Sequence, residues 1–302
     1  MINFPTKSIT FIINSSLPGY LNIYFVHLRI PTPIEEQAAM KRSPNILPSF
    51  ILTVFMSLFF LMGFYARYQM EIVESQPITV SNQFGPLPDF QTYNDVGEKK
   101  NAFFAYLAPI AKQANQVSLE RRTKIIALST KLNITQEDIE YLKTMASLYK
   151  VSATDIPGDD LFRELKAKVD EIPLSLILAQ AANESAWGTS RFARKANNIF
   201  GLWCYSPGCG LVPKKRSEGA NHEVARFSSI YLSVRSYIRN INSHPGYETL
   251  RTLRQEARDS GIPLDGETLA QGLLSYSERG EPYVREIQSL IRTNKLNQYE
   301  QP

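Results

Sequence analysis

The chain is poor in the residues that hold metals. It has two cysteines and three histidines in 302 residues. The histidines are scattered at His27, His222 and His244, and neither they nor the cysteines show zinc-type spacing. No metal or cofactor is therefore expected. Neither sign of charge dominates: 33 Lys and Arg stand against 29 Asp and Glu, a net charge of +4. Such a mild balance gives no footprint for nucleic acid, and no nucleic-acid-binding motif accompanies it. A hydrophobic content of 43% with 21% charged residues excludes a disordered chain. The length suits one large domain or two small ones.

Long uncharged runs are also scarce, with one exception. Residues Ile46 to Ala66, ILPSFILTVFMSLFFLMGFYA, carry no charge and match the ~20 apolar residues that cross a bilayer. Lys41 and Arg42 precede the run and favour a cytoplasmic N-terminus. It reads as a signal anchor, or as a long signal peptide starting at Met40. The length of the run and the lack of an A-x-A cleavage site favour the anchor. Residues 9–24 are fairly apolar, but Ser15, Ser16, Pro18 and Gly19 make them a poor span. The expected layout is an N-terminal segment over 1–45, the anchor over 46–66 and a linker over 67–100. A helical subdomain over 101–160 and a catalytic domain over 161–302 follow.

Beyond the linker the pattern is helical. Phe103, Leu107, Ile110, Ala114 and Val117 share a face of a helix over 102–132, which Pro109 starts or kinks. Thr135 and Asp138 form a capping box before a helix carrying Ile139, Leu142, Met145 and Tyr149. Leu161, Leu165 and Val169 mark another. After Gly210 the period shortens: LVPKKR and HEVARF read as two strands of a hairpin. Ser228 or Ser229 then caps a helix, a second runs over 247–259, and Asp265 opens a third that reaches Tyr276. A last helix starts near Pro282. The fold class is mainly α with a small β-hairpin lobe.

The stretch Pro173 to Trp203, PLSLILAQAANESAWGTSRFARKANNIFGLW, organises the rest. Pro173 suits a helix start. Leu174, Ile177, Leu178 and Ala181 make an apolar stripe, and Glu184 occupies its next position. Gly188 is a helix stop, so Glu184 falls in the last turn. Burial and the negative end of the helix dipole both disfavour its charged form and raise its pKa, as a general acid requires. The alternative is a half-exposed Glu184 paired with Arg191 or Arg194.

This run resembles the signature of the glucosaminidase-type peptidoglycan hydrolases, glycoside hydrolase family 73. Ala179, Gln180, Ala182, Glu184, Ser185, Trp187 and Gly188, then Asn198, Ile199, Phe200 and Gly201, fall on the family's A-Q-x-A-x-E-S-x-W-G and N-L-F-G. The following CYSPGCG resembles the Bax-type branch. The resemblance covers about residues 160–296. It implies a lysozyme-like helical domain, held by its anchor to the inner membrane, that cuts the β-1,4 glycan strands of peptidoglycan in the periplasm. Glu184 is then the general acid. Glu218 or Glu223 is the second carboxylate, with Glu218 favoured by counting from Asn198. Tyr276, in the run Ser275 to Tyr283, matches a functional tyrosine; its alternative is a core tyrosine. Trp187 and Asn198 are implied in the sugar cleft, although Trp187 also suits a core, and Phe200 is structural. Export would let Cys204 and Cys209, which flank a Pro-Gly turn, form a disulfide; two free buried thiols are the alternative. A lytic transglycosylase, a non-catalytic wall-binding module and a purely structural envelope protein remain as other classes.

Overall fold

The computed structural model describes residues 8–17, 20–29, 83–153, 157–214, 216 and 219–300. The apolar run 46–66 lies outside them. Among the described residues no helix is long and apolar enough to cross a membrane.

Residues 8–29 belong to a separate unit. Strands β1 (Ser8–Leu17) and β2 (Tyr20–Arg29) pair antiparallel, from Ser8 opposite Arg29 to Leu17 opposite Tyr20. Ser15 and Ser16, two of the residues that spoil 9–24 as a span, thus fall near the end of β1.

In the second unit, Phe90 sits on a short 3-10 turn and is buried in the core at 1% exposure, inside the stretch read as linker. Helix α1 (Val96–Ser129) starts at Asp95, whose carboxylate accepts from the Glu98 amide at 2.8 Å. It runs through Pro109 without ending. Its first half buries Phe103, Phe104, Leu107 and Ile110 in the main core. Its second half gives Ile125 and Leu128 to a smaller core shared with α2 (Gln136–Tyr149) and α3 (Asp159–Lys168). The Thr135–Asp138 capping box is present, and α2 ends on Lys150 in the left-handed region, φ 54°. The capping box and the apolar stripes of these helices were readable from spacing alone.

Helix α4 (Leu174–Ser185) runs through the main core, with Ser175 to Ala182 all buried. A helix apolar on nearly every side must be central. Its free N-terminal amides are satisfied from far along the chain: Leu174 and Ser175 donate to the Glu300 carboxylate at 3.1 and 2.8 Å. Short helix α5 (Arg191–Ala196) follows, capped by Ser190. The β lobe differs from the expected hairpin. It is a three-stranded antiparallel sheet of order β3-β5-β4, with β3 Trp203–Cys204, β4 Gly210–Leu211 and β5 Glu223–Ala225. Trp203 pairs with Val224 on one side of β5 and Leu211 on the other. The extra strand was hidden because two residues carry no readable alternation.

Helix α6 (Ile230–Ser243) is capped by Ser229 and α7 spans Glu248–Asp259. Asp265 caps the next helix by accepting from the Thr268 amide at 2.7 Å, but the helix does not reach Tyr276. After α8 (Gly266–Leu269) the chain tightens to a 3-10 turn, Ala270–Leu273. Close packing on α7 accounts for this. A Cβ at Gly272 would lie 2.3 Å from the Leu250 amide nitrogen. Helix α9 (Glu281–Thr293) packs back against α4.

Candidate active site

Glu184 occupies the last turn of α4, half-buried, where the stripe placed it. The helix stops abruptly behind it. Ala186 and Trp187 both take left-handed backbone, φ 49° and 58°, before Gly188 at 76°. Two non-glycine residues in that region cost of order 1–3 kcal/mol each. Gly188 cannot be replaced cheaply, because a Cβ there would meet the Phe90 ring at 2.6 Å. The stop turns the chain away and leaves the Glu184 carboxylate at the wall of a cleft of about 660 Å³.

A one-way chain of hydrogen bonds reaches that carboxylate from the core. Tyr237 Oη donates to Gln180 Oε1. Gln180 Nε2 donates to Tyr283 Oη at 2.9 Å, and Tyr283 Oη donates to Glu184 Oε1 at 2.8 Å. Gln180 and Glu184 are four residues apart on α4, so both face α9. Gln180, Tyr237 and Tyr283 are buried. Burial drives the pKa of Tyr283 far up, and the Glu184 charge adds to it, so the phenol stays a donor.

Burial raises the pKa of Glu184. The hydrogen bonds from Tyr283 and Asn183, and the charge of Arg279, pull it partly back, while Glu286 pushes it up. Arg279 itself is paired with Glu286 at 2.7 Å and lies over the Tyr283 ring. Neither arginine weighed as a partner reaches Glu184: Arg191 donates to the Val212 carbonyl and Arg194 faces Asp89. A carboxyl of this kind holds its proton to higher pH than an exposed glutamate and stands ready to give it up.

Tyr276 lines the same cleft. Its ring is stacked on that of Tyr283, 5.4 Å between centroids and 8° between planes. Its hydroxyl donates to the Phe200 carbonyl at 3.3 Å. Phe200 in turn stacks on Tyr237 at 3.9 Å. Trp203 and Tyr205, both largely exposed, line the cleft as well, with His244 and Tyr247. Exposed aromatic faces beside a carboxyl are suited to stacking on pyranose rings.

The other expected residues lie elsewhere. Trp187 packs edge-on against Phe103 and Phe104 of α1, with Lys100 Nζ 4.9 Å above its ring. Asn198 is buried, and its amide is spent on backbone: Nδ2 donates to the Leu202 and Ala225 carbonyls and Oδ1 accepts from the Leu202 amide. It pins the strand entry to β5 rather than facing the cleft. Cys204 and Cys209 are joined in a disulfide. Glu223 accepts from the Gly208 and Gly210 amides at 3.0 and 2.8 Å, and these bonds hold its pKa below the usual range. Glu223 thus braces the disulfide loop. It is also the acidic neighbour of those two sulfurs, which have no thiolate left to offer a metal. Glu218 lies outside the described residues.

Tyr283, Gln180 and Trp203 went unassigned in the sequence. Tyr283 closes the run that begins with Tyr276, and Gln180 stands inside the quoted signature, so both were in view without a role. An exposed tryptophan cannot be told from a core one by composition.

Residues 159–296 match the glucosaminidase family, described as mannosyl-glycoprotein endo-beta-N-acetylglucosaminidase. The chain is 29% identical over 209 residues to protein Bax of Escherichia coli strain K12, covering 69% of this chain and 74% of that one. Among solved structures, the catalytic domain of the autolysin Auto from Listeria monocytogenes covers 57% of this chain and 93% of its own, at 18% identity and a TM-score of 0.34. A type VI secretion effector–immunity complex from Pseudomonas protegens covers 51% and 91%, at 20% identity and a TM-score of 0.26. At the level of the family, this match supports a glycoside hydrolase.

Proposed function

We propose that the protein is a peptidoglycan hydrolase, an N-acetylglucosaminidase that cuts β-1,4 glycan strands with Glu184 as general acid. The observation that carries this reading is the Glu184 carboxyl itself. It is half-buried, raised in pKa and oriented by Tyr283 at the wall of a cleft that exposed aromatics also line. Glu184 protonates the leaving oxygen, and a sugar stacked on Trp203 or Tyr205 is held across from it. Tyr276 stands near enough along the cleft to meet the substrate acetamido group or a water. The segment 46–66 is the proposed anchor that keeps the domain in the periplasm beside its polymer. Digestion of purified sacculi with mass analysis of the muropeptides tests the reading: new reducing GlcNAc ends support it, and intact sacculi sink it.

One observation favours a second reading. Among the described residues lining the cleft, Glu184 is the sole carboxylate. A lytic transglycosylase needs only one, and so does hydrolysis assisted by the substrate's own acetamido group. The same digestion separates them, because a transglycosylase leaves 1,6-anhydro ends.

A further inference from the structure

The cleft continues beyond Glu184. A second cavity of about 320 Å³ shares Lys150, Leu202, Trp203 and Asn240 with it, and adds Arg239. Lys150 comes from the C-terminal end of α2, outside the residues 159–296 that match the family. A helix C-terminus normally repels an anion. Here Lys168 Nζ donates to the Lys150 carbonyl at 2.7 Å and offsets that end of the dipole. Cations and carboxylates both act on the residues around this end of the cleft. Lys150 and Arg251 both act on His244 and Lys168, against Glu164 and Glu248 acting on Lys168. The described walls of the second cavity hold no carboxylate. The continuous groove therefore runs from an acid at Glu184 to cations at Lys150 and Arg239, past the aromatic face of Trp203.

We propose that Lys150, with Arg239, forms a carboxylate-binding subsite that distinguishes an anionic glycan strand from a neutral one. The proposal rests on the cleft reading above and adds to it the residues that read the carboxylates of the polymer and so set its preference for charged strands. The carboxylate has two sources, the lactyl group on the sugar ring and the free acids of a stem peptide. Both present the same chemistry to an ammonium and a guanidinium. A partly enclosed cleft makes such contacts worth more than on open surface, though they remain screened by salt.

The test uses the full-length chain carrying Glu184→Gln, so that bound ligands are not cut. Calorimetry measures affinity for chitotetraose, for glycan strands stripped of peptide, and for peptide-bearing strands. Adding Lys150→Gln is expected to weaken one or both anionic ligands by about five- to ten-fold and to leave chitotetraose unchanged, a size set by single charge contacts. The ligand that loses affinity identifies the source of the carboxylate. Raising the salt from 0.05 to about 0.5 M shrinks the difference, and Lys150→Arg restores most of it. Equal changes for all three ligands, or none, overturn the subsite while leaving the glycosidase reading intact. If the Glu184→Gln parent binds none of the three and the wild-type chain cuts none, the glycosidase reading fails, and the subsite with it.

Discussion

Tyr283 donates to Glu184 at 2.8 Å while its ring lies parallel to that of Tyr276, 5.4 Å away. One tyrosine thus serves the acid with its hydroxyl and the cleft wall with its ring. Replacing Tyr283 by Phe keeps the stack and removes the hydrogen bond. That bond favours the charged form of Glu184, so its loss raises the Glu184 pKa further. The alkaline limb of the pH–rate profile should move to higher pH. Gln180 Nε2 also loses its acceptor in the core, which should cost about 1–3 kcal/mol of stability. Denaturant melts and a pH–rate profile read the two effects separately; an unmoved alkaline limb would show that Glu184 does not set it.

Tyr276→Phe separates core from cleft. The hydroxyl meets only a backbone carbonyl, at 3.3 Å, so the fold should persist with a loss within about 1 kcal/mol. We expect most of the turnover to go, because Tyr276 lines the cleft that holds Glu184. Full turnover in the variant would make Tyr276 a packing residue.

Glu223 was one of two carboxylates weighed as the partner of Glu184, and its geometry points to a bracing role. Glu223→Gln should loosen the 204–209 loop and retain much of the activity. Its pKa is depressed in the fold, so its contribution is present above the ordinary glutamate pKa and lost as pH falls through the folded value. Protection factors at the Gly208 and Gly210 amides, corrected for the intrinsic pH dependence of exchange, should fall toward acid pH in the wild type and be low throughout in the variant. A variant as inactive as Glu184→Gln, with its loop amides still protected, would instead make Glu223 the second catalytic carboxylate.

Asp170 is 2% exposed and joins three arginines: Arg258 at 2.9 Å, Arg122 at 3.5 Å and Arg254 at 3.8 Å. Arg254 is fully buried, and burial lowers its pKa to about 10 despite Asp170. It also donates to the Glu171 and Ala167 carbonyls and to Asn242. This cluster ties α1, α6 and α7 to the chain just before α4. Asp170→Ala strands buried positive charge and should cost about 3–5 kcal/mol. Urea unfolding measures it; a change under about 1 kcal/mol would show that the arginines find other partners.

How much of this was legible depended on distance along the chain. The Thr135 box, the caps at Ser229 and Asp265, the α4 stripe and the place of Glu184 within it are set by residues three to seven apart, and periodicity shows them. The 204–209 disulfide was equally local. The Tyr237–Gln180–Tyr283–Glu184 chain spans more than a hundred residues, and no spacing announces it. Gly272 looked like a helix interior, and only the approach of Leu250 forces the tighter turn. Asn198 lies in the signature, yet its side chain is taken up by two carbonyls and an amide that folding brings together.

Glu184→Gln is the decisive substitution. Gln keeps the shape and can still accept from Tyr283, but it has no proton to deliver. Losing a positioned acid typically lowers the rate by ~10²–10⁴-fold. Stability should move the other way. The folded pKa of Glu184 lies above its unfolded value, so the wild type loses stability as pH rises from the unfolded toward the folded pKa. Gln removes that penalty. The variant should therefore match the wild type in acid and exceed it at pH values above the folded pKa, as is common where a functional group is held at a cost. Thermal melts across pH and muropeptide release at the optimum check both halves. A folded Glu184→Gln protein that still releases muropeptides at the wild-type rate would remove Glu184 from the mechanism. A stability gain that is the same at every pH would mean that the group is not raised in pKa at all.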